Sequence, residues 1–203
     1  TFPSRRGTSM HQYFSENQAF ILDYLELQLL AFDLGSSVLC ADQADSADGF
    51  LGVHTDMEII EIKENKKQFL PLLLLADEQE SMIDRYIDRG TMYVLVDNGV
   101  KCECVVTDEG KGILEIKNIA TAPEYQGKGY GKALIDFVAA KYKGKYSILQ
   151  VGTGDSPLTV PFYEKSGFAR SHSIENFFID NYDHPIFEGG VQLTDMIYLQ
   201  KKI

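Results

Sequence analysis

Cysteine is scarce in this chain, with three in 203 residues. A small, odd number does not build a disulfide framework. Cys102 and Cys104 stand two apart in a stretch of strand character, so they share a face. No second Cys or His cluster completes a zinc site around them, so they read as packing residues and no metal is expected. Basic charge is also short. Nineteen Lys and Arg stand against thirty Asp and Glu, a formal net charge of −11. A nucleic-acid binder wants a basic face, so that class is disfavoured. The acidity suits a cationic partner such as an amine, and it serves solubility equally well. No apolar run reaches the length of a membrane span, which argues against a membrane partner. No secretory signal is evident, so the expected location is cytoplasmic.

What is present is enough for one good core, or for one domain with an appendage. A hydrophobic share of 44% with 24% charged residues describes a globular chain. Its organising stretch is Gln126-Gly127-Lys128-Gly129-Tyr130-Gly131-Lys132. A strand-like run from Gly112 to Ala120 precedes it, and Ala133 to Tyr142 follows as an amphipathic helix. Glycines at alternate positions let the backbone curl and expose its N–H groups. A helix start adds unpaired amides and a positive dipole end, which together seat a phosphate. Lys128 and Lys132 add positive charge at that spot.

Spacing excludes two phosphate-binding patterns. The Walker loop needs Ser or Thr after its lysine, and Lys132 is followed by Ala133. The dinucleotide fingerprint needs G-x-G-x-x-G, whereas here the glycines run G-x-G-x-G. What fits is Gln-x-x-Gly-x-Gly, Gln126 to Gly131, with Glu115 on the strand before it and Tyr163-Glu164-Lys165-Ser166-Gly167-Phe168 after it. With these segments the chain resembles the GNAT family of acyl-CoA-dependent N-acetyltransferases, over about residues 57–203. The resemblance implies an α/β GNAT fold: a mixed, mostly antiparallel sheet flanked by helices, split where acetyl-CoA enters. Here it would carry an N-terminal helical extension.

Residues 1–56 fall outside the resemblance. Ser4 to Ser9 reads as linker or appended sequence. Apolar spacing from Phe14 to Leu34 predicts a helix, with Ser15 placed as N-cap and Gly35 as C-terminal cap. Ala41 to Asp56 reads as an acidic linker. This extension carries net −6, leaving −5 for residues 57–203, the expected acetyltransferase domain. An apolar helix must bury its face, so a docking or homodimer helix is favoured over a lid or an inert appendage.

Within 57–203, Glu58 to Lys63 predicts a strand, and Asn65 to Leu75 and Asp77 to Asp88 predict two helices. By the resemblance these helices line the acceptor side, with Phe69, Glu78, Glu80, Met82 and Tyr86 as contact candidates. Thr91 to Asp97 and Val100 to Thr107 read as a hairpin around Asn98-Gly99. Tyr146 to Val151 is a further strand. Pro157 to Ser166 is a helix that Pro161 should kink or delay, and Phe168 to Ser173 and Leu193 to Gln200 are the last strands. The aromatic-rich connection from Glu175 to Gly190 is long enough to be functional. Asp180, Asp183 and Glu188 there are candidates to bind a cation.

The resemblance also implies roles. Backbone amides of Gly127, Lys128, Gly129, Tyr130, Gly131 and Lys132, with Gln126, would bind the pyrophosphate of CoA. Backbone groups of Ile119 and Thr121 would pair with the pantetheine arm, and the Ile119 amide would meet the oxyanion. Glu115 sits where histone-type members carry a catalytic glutamate. An alkyl amine has a pKa of about 10.4, so only about one molecule in a thousand is nucleophilic at neutral pH and a base is useful. The alternative for Glu115 is a strand glutamate paired with Lys117. Tyr163 would protonate the leaving thiolate, the alternative being a core tyrosine. Many members carry an Asn shortly before this tyrosine, where this chain has Asp155 and Ser156. The expected activity is acetyl-CoA-dependent N-acetylation of a small amine, polyamine or aminoglycoside. A peptide or protein amine, a non-catalytic CoA-binding module, and an interaction protein built on the N-terminal helix are the competing readings.

Overall fold

Asn98 and Gly99 turn the chain back on itself with φ of 50° and 92°, the pair of positive values that a primed hairpin turn demands. They join β2 (Thr91–Val96) to β3 (Val100–Asp108) in a computed structural model that describes residues 57–203. The helix read from Phe14 to Leu34, its caps and the acidic linker lie outside the described residues. Before the hairpin come β1 (Glu58–Ile62), a 3-10 turn at Lys66–Phe69, α1 (Leu70–Ala76) and α2 (Glu80–Ile83). After it come β4 (Ile113–Thr121), α3 (Tyr130–Tyr142), β5 (Ile148–Gly154) and α4 (Thr159–Lys165). The chain closes with β6 (Ala169–Ile174), α5 (Phe177–Asn181), the short hairpin β7 (Phe187–Glu188) and β8 (Val191–Gln192), and β9 (Met196–Lys202).

Seven strands form one sheet in the order β1-β2-β3-β4-β5-β9-β6. Every neighbouring pair is antiparallel except β4 with β5. On one face Tyr93, Leu95, Cys104, Val106, Leu114 and Ile116 pack against Leu134, Ile135 and Val138 of α3 and Val160 of α4. Cys102 and Cys104 are buried and free, as packing residues. On the other face α1 crosses β4, where the Asn118 side chain donates to Leu73 O at 3.0 Å. Among the described residues no helix is long and apolar enough to cross a membrane.

Local departures have physical causes. Strict alternation would put Ile119 on the face of Glu115. The β3–β4 register instead pairs Val106 with Ile116 and Val105 with Asn118, leaving Lys117 as an extra, bulged residue. Ile119 therefore packs with the α3-side core, while Glu115 and Asn118 share the α1 side. Helix α3 begins at Tyr130, not Ala133, so Gly131 and Lys132 lie in its first turn. Pro157 precedes α4 instead of opening it, and Pro161 falls in the first helical turn. An N–H there has no intrahelical partner in any case, so the proline delays the helix without kinking it. Gly152 to Gly154 continue β5 where the sequence suggests a loop. The helix expected from Asp77 to Asp88 closes only as Glu80–Ile83.

Candidate active site

β4 and β5 pair only from Ile113 with Ile148 to Ile116 with Val151. Beyond that point β5 follows β9, with Gly152 against Tyr198 and Gly154 against Met196. The β4 edge from Lys117 onward is therefore open on the β5 side. Ala122 N–H donates to Lys101 O on β3 at 2.9 Å. Backbone groups alternate sides along a strand, so Ala120 turns the same way and Ile119 and Thr121 turn toward the opening. Thr121 O accepts from Gln126 Nε2 at 3.2 Å, which fixes the glycine loop to this edge.

The loop ends at Gly129, the N-cap of α3, with φ of 91°. The first intrahelical bond runs from Ala133 N–H to Gly129 O at 2.9 Å. The N–H groups of Tyr130, Gly131 and Lys132 thus stand before the ladder, at the positive end of a 13-residue helix. A Cβ on Gly131 would come within 3.2 Å of Phe162 Cζ and 3.4 Å of Thr121 Oγ1, so this position holds α3 close to both α4 and β4. Tyr130 OH donates to Asp97 Oδ2 at 2.6 Å, and that bond is the main reason its phenol is raised. Lys101 Nζ lies 3.9 Å and Lys128 Nζ 5.1 Å from the centre of the Tyr125 ring. Lys132 pairs with Asp136 one turn on.

Across the α1 side runs a row of polar residues in register: Thr107, Glu115, Gln150 and Gln200. Glu115 is 5% exposed. Its Oε1 accepts from Lys117 Nζ at 2.6 Å and its Oε2 from Gln150 Nε2 at 2.9 Å. Gln150 is fixed in turn by Gln200, whose Nε2 donates to its Oε1 at 2.7 Å. Lys117 also lies 3.4 Å from Glu109, which Arg89 and Thr107 hold at 2.7 and 2.6 Å. Tyr163 comes from α4 and is buried, its ring edge-on to Phe162 and Phe168. Burial pushes its phenol well above the usual range, and Cys104 and Glu188 push it further.

The comparisons fit this geometry. A family model described as an acetyltransferase (GNAT) domain matches residues 88–170. An uncharacterized N-acetyltransferase, YvbK of Bacillus subtilis (strain 168), is 33% identical over 140 residues, covering 68% of this chain and 90% of the relative. The chain belongs to the GNAT family. A GNAT acetyltransferase from Elizabethkingia anophelis with acetyl-CoA bound superposes with a TM-score of 0.69 at 36% identity, over 72% of this chain and 98% of that one. An acetyltransferase of Bacillus subtilis in complex with CoA gives 0.67 at 31% identity, over 73% and 99%. The GNAT chain is thus an acetyl-CoA-dependent N-acetyltransferase. The open β4 edge and the unpaired amides at the α3 start are a fit seat for that cosubstrate.

The insertion between β6 and β9 closes on the segment between α1 and α2. Tyr182 OH donates to Asp77 Oδ1 at 3.0 Å, and Asp183 N–H to Gln79 Oε1 at 3.2 Å. Tyr86 OH lies 3.4 Å from Asp77 Oδ2 and accepts from Asn118 Nδ2 at 2.9 Å. Burial raises the Asp77 carboxyl although both phenols favour its charge. A cavity of about 220 Å³ within the insertion is lined by Phe178, Tyr182, Asp183, His184 and Leu193 among others. Asp183 raises the His184 imidazole, which it meets at 2.5 Å.

Glu188, a cation-binding candidate in the sequence, is held by a chain of hydroxyl groups. It accepts from Thr159 Oγ1 at 3.2 Å, and Thr159 receives from Thr153 at 3.0 Å, so its carboxylate sits over the end of β5. Among the acceptor-side candidates, Phe69, Met82 and Tyr86 are buried. Glu80 pairs with Lys67 at 2.9 Å and Glu78 lies 3.6 Å from His184. Asp155 pairs with Arg170 at 2.8 Å on the surface, and Ser156 accepts from Leu158 N–H at 3.1 Å before α4. Asp77, Asn118 and Gln150 were not legible as site residues. For Gln150, a polar residue after an apolar pair at the start of a strand was the one available signal.

Proposed function

We propose that this GNAT protein acetylates the primary amine of a small cationic acceptor by direct attack within a ternary complex. The observation that carries the reading is the Lys117 ammonium seated on buried Glu115 at 2.6 Å. The carboxylate already holds a primary ammonium, the group that an acceptor would bring. An arriving ammonium can replace Lys117 there, cation for cation, while Gln150 keeps the carboxylate oriented.

Acetyl-CoA supplies the acetyl group as an activated thioester. The N–H groups of Gly127, Lys128, Gly129, Tyr130, Gly131 and Lys132 would hold its pyrophosphate, with Gln126 fixing the loop. Backbone groups of Ile119 and Thr121 would receive its pantetheine arm, and the Ile119 N–H would take the carbonyl oxygen. Glu115 receives the proton of the amine, directly or through one water. Tyr163 gives its proton to the leaving sulfur. Burial keeps its phenol protonated and ready for the transfer, while making that proton harder to give up.

The small cavity and the carboxylates of Asp183 and Glu188 favour a compact cationic acceptor over a folded protein. We assign this activity to residues 57–203 and a homodimer contact to the 14–34 stretch. Gel filtration with and without residues 1–56 checks the second assignment. The test of the activity is thiol release from acetyl-CoA across polyamines, aminoglycosides, simple alkylamines and peptides. Release with one small-amine class supports the reading. Release with peptides alone moves the acceptor class, and binding without release on any amine makes the chain a CoA-binding module.

A further inference from the structure

Three side-chain oxygens are buried without a hydrogen-bond partner among the described residues: both of Glu103 and Oδ1 of Asn118. Glu103 is 0% and Asn118 2% exposed. Orphans of this kind are rare, because each forfeits its solvation without a bond in return. These lie together. Glu103 pairs with Ala120 and Asn118 with Val105, so the two are diagonal neighbours on the α1 side of β3 and β4. Tyr86 lies beside them: its hydroxyl accepts from Asn118 Nδ2 at 2.9 Å, and its phenol, raised mainly by burial, is raised in part by Glu103. Asn118 spends both known donor contacts, on Tyr86 OH and Leu73 O, so its amide orientation is fixed with Oδ1 turned away from them. The Ala120 N–H favours the charged form of Glu103 but falls short of a hydrogen bond.

With Glu103 ionised all three orphans are acceptors, and Asn118 follows directly on the bulge, on the stretch of β4 that β5 leaves open. What satisfies such a set is a group made only of donors. A primary ammonium, with three N–H bonds on one atom, is that group. We propose that Asn118 Oδ1 and the Glu103 carboxyl form a buried subsite for a second, non-reacting primary ammonium of the acceptor, on the same face as Glu115. The proposal rests on the acetyl-transfer reading and adds an anchor for a further ammonium of the acceptor, apart from the reacting amine at Glu115. Burial pushes the Glu103 carboxyl up to about 8, which leaves it poised to ionise when a cation arrives. The other titratable groups near it are Tyr86, Tyr163, Cys102 and Cys104, all raised and neutral at pH 7. Asp77 lies one hydroxyl further on, beyond Tyr86.

The test is an NMR titration of the full chain, with and without CoA, using methylammonium chloride against tetramethylammonium chloride. The Asn118 side-chain amide and the Glu103 carboxyl carbon are the reporters. The subsite predicts saturable shifts of both with methylammonium and none with tetramethylammonium, which has no N–H to give. Glu103→Gln keeps the shape, offers Asn118 Oδ1 a donor of its own, and should weaken methylammonium at least tenfold while raising Tm. Asn118→Ala should weaken it too, but that variant also loses two donor contacts, so Glu103→Gln is the deciding one. Equal responses to both cations, no response, or unchanged affinity in Glu103→Gln would overturn the subsite. The α3 amides at 130–132 report CoA in the same spectra. Their silence would count against the cofactor seat, whereas their response without a methylammonium shift counts against the subsite alone.

Discussion

Lys117 Nζ donates to Glu115 Oε1 at 2.6 Å from a bulge that leaves both residues on the α1 side of β4. In a regular strand the pair would also share a face, but Asn118 would then point into the α3-side core. The bulge thus gives one short segment a carboxylate, its cation and a buried amide on one side. Two substitutions separate the partners. Glu115→Gln should lower kcat by about 10²–10⁴ with the acetyl-CoA Kd unchanged, the usual worth of a positioned base. Lys117→Ala removes the internal competitor, and Glu109 keeps Arg89 at 2.7 Å. Its KM for the amine should fall severalfold with kcat retained. Steady-state kinetics on both variants decide the matter, and a Lys117→Ala enzyme as impaired as Glu115→Gln would mean the pair is structural.

The Tyr182–Asp77 bond at 3.0 Å ties the β6–β9 insertion to the segment after α1. Tyr182→Phe deletes that bond and leaves Asp77 with Tyr86. The expected cost is about 1–2 kcal/mol, less than unfolds a domain. The KM for the amine should rise about threefold to tenfold while acetyl-CoA binding stays as it was. A loss of stability with unchanged KM would remove the insertion from the acceptor site.

Glu103 predicts a pH dependence of stability. Its folded value of about 8 lies above the ordinary 4.5 that an unfolded chain would show. Folding therefore favours the protonated form. The stabilisation is fully present below about pH 4.5 and is lost as pH rises through about 8. The slope in that window approaches about 1.4 kcal/mol per pH unit for one proton. Denaturant unfolding from about pH 5 to 8 should show the wild type losing stability relative to Glu103→Gln. Parallel curves would mean that Glu103 ionises freely in the folded protein.

Much of this was legible in the residues, for reasons that are local. Asn98-Gly99 dictates its own turn, Gly129 its own cap, and the Gln126–Lys132 loop with the Tyr163 segment is a pattern of fixed chemistry and spacing. The bulge at Lys117 was not legible, because it arises from how β3 pairs with β4 and leaves no mark on β4 alone. For the same reason Asn118 read as an ordinary strand residue and Ile119 as a neighbour of Glu115. Whether Pro161 would kink or only delay its helix was not legible, because that depends on the helix beginning at Thr159, which the preceding turn decides. Glu103 carries no sequence signal beyond a charge between two cysteines, and its burial is a tertiary fact.

The most direct test compares the wild type with Tyr163→Phe, titrating acetyl-CoA by calorimetry and then following thiol release with the amine that the panel selects. The account predicts comparable acetyl-CoA binding by both proteins and fast release by the wild type. Release by Tyr163→Phe should be slower by about 10²-fold, as loss of an acid that works only in the transition state requires. Equal release by the two proteins would contradict the role of Tyr163, and absence of acetyl-CoA binding by the wild type would contradict the seat at Gly129 and with it the account.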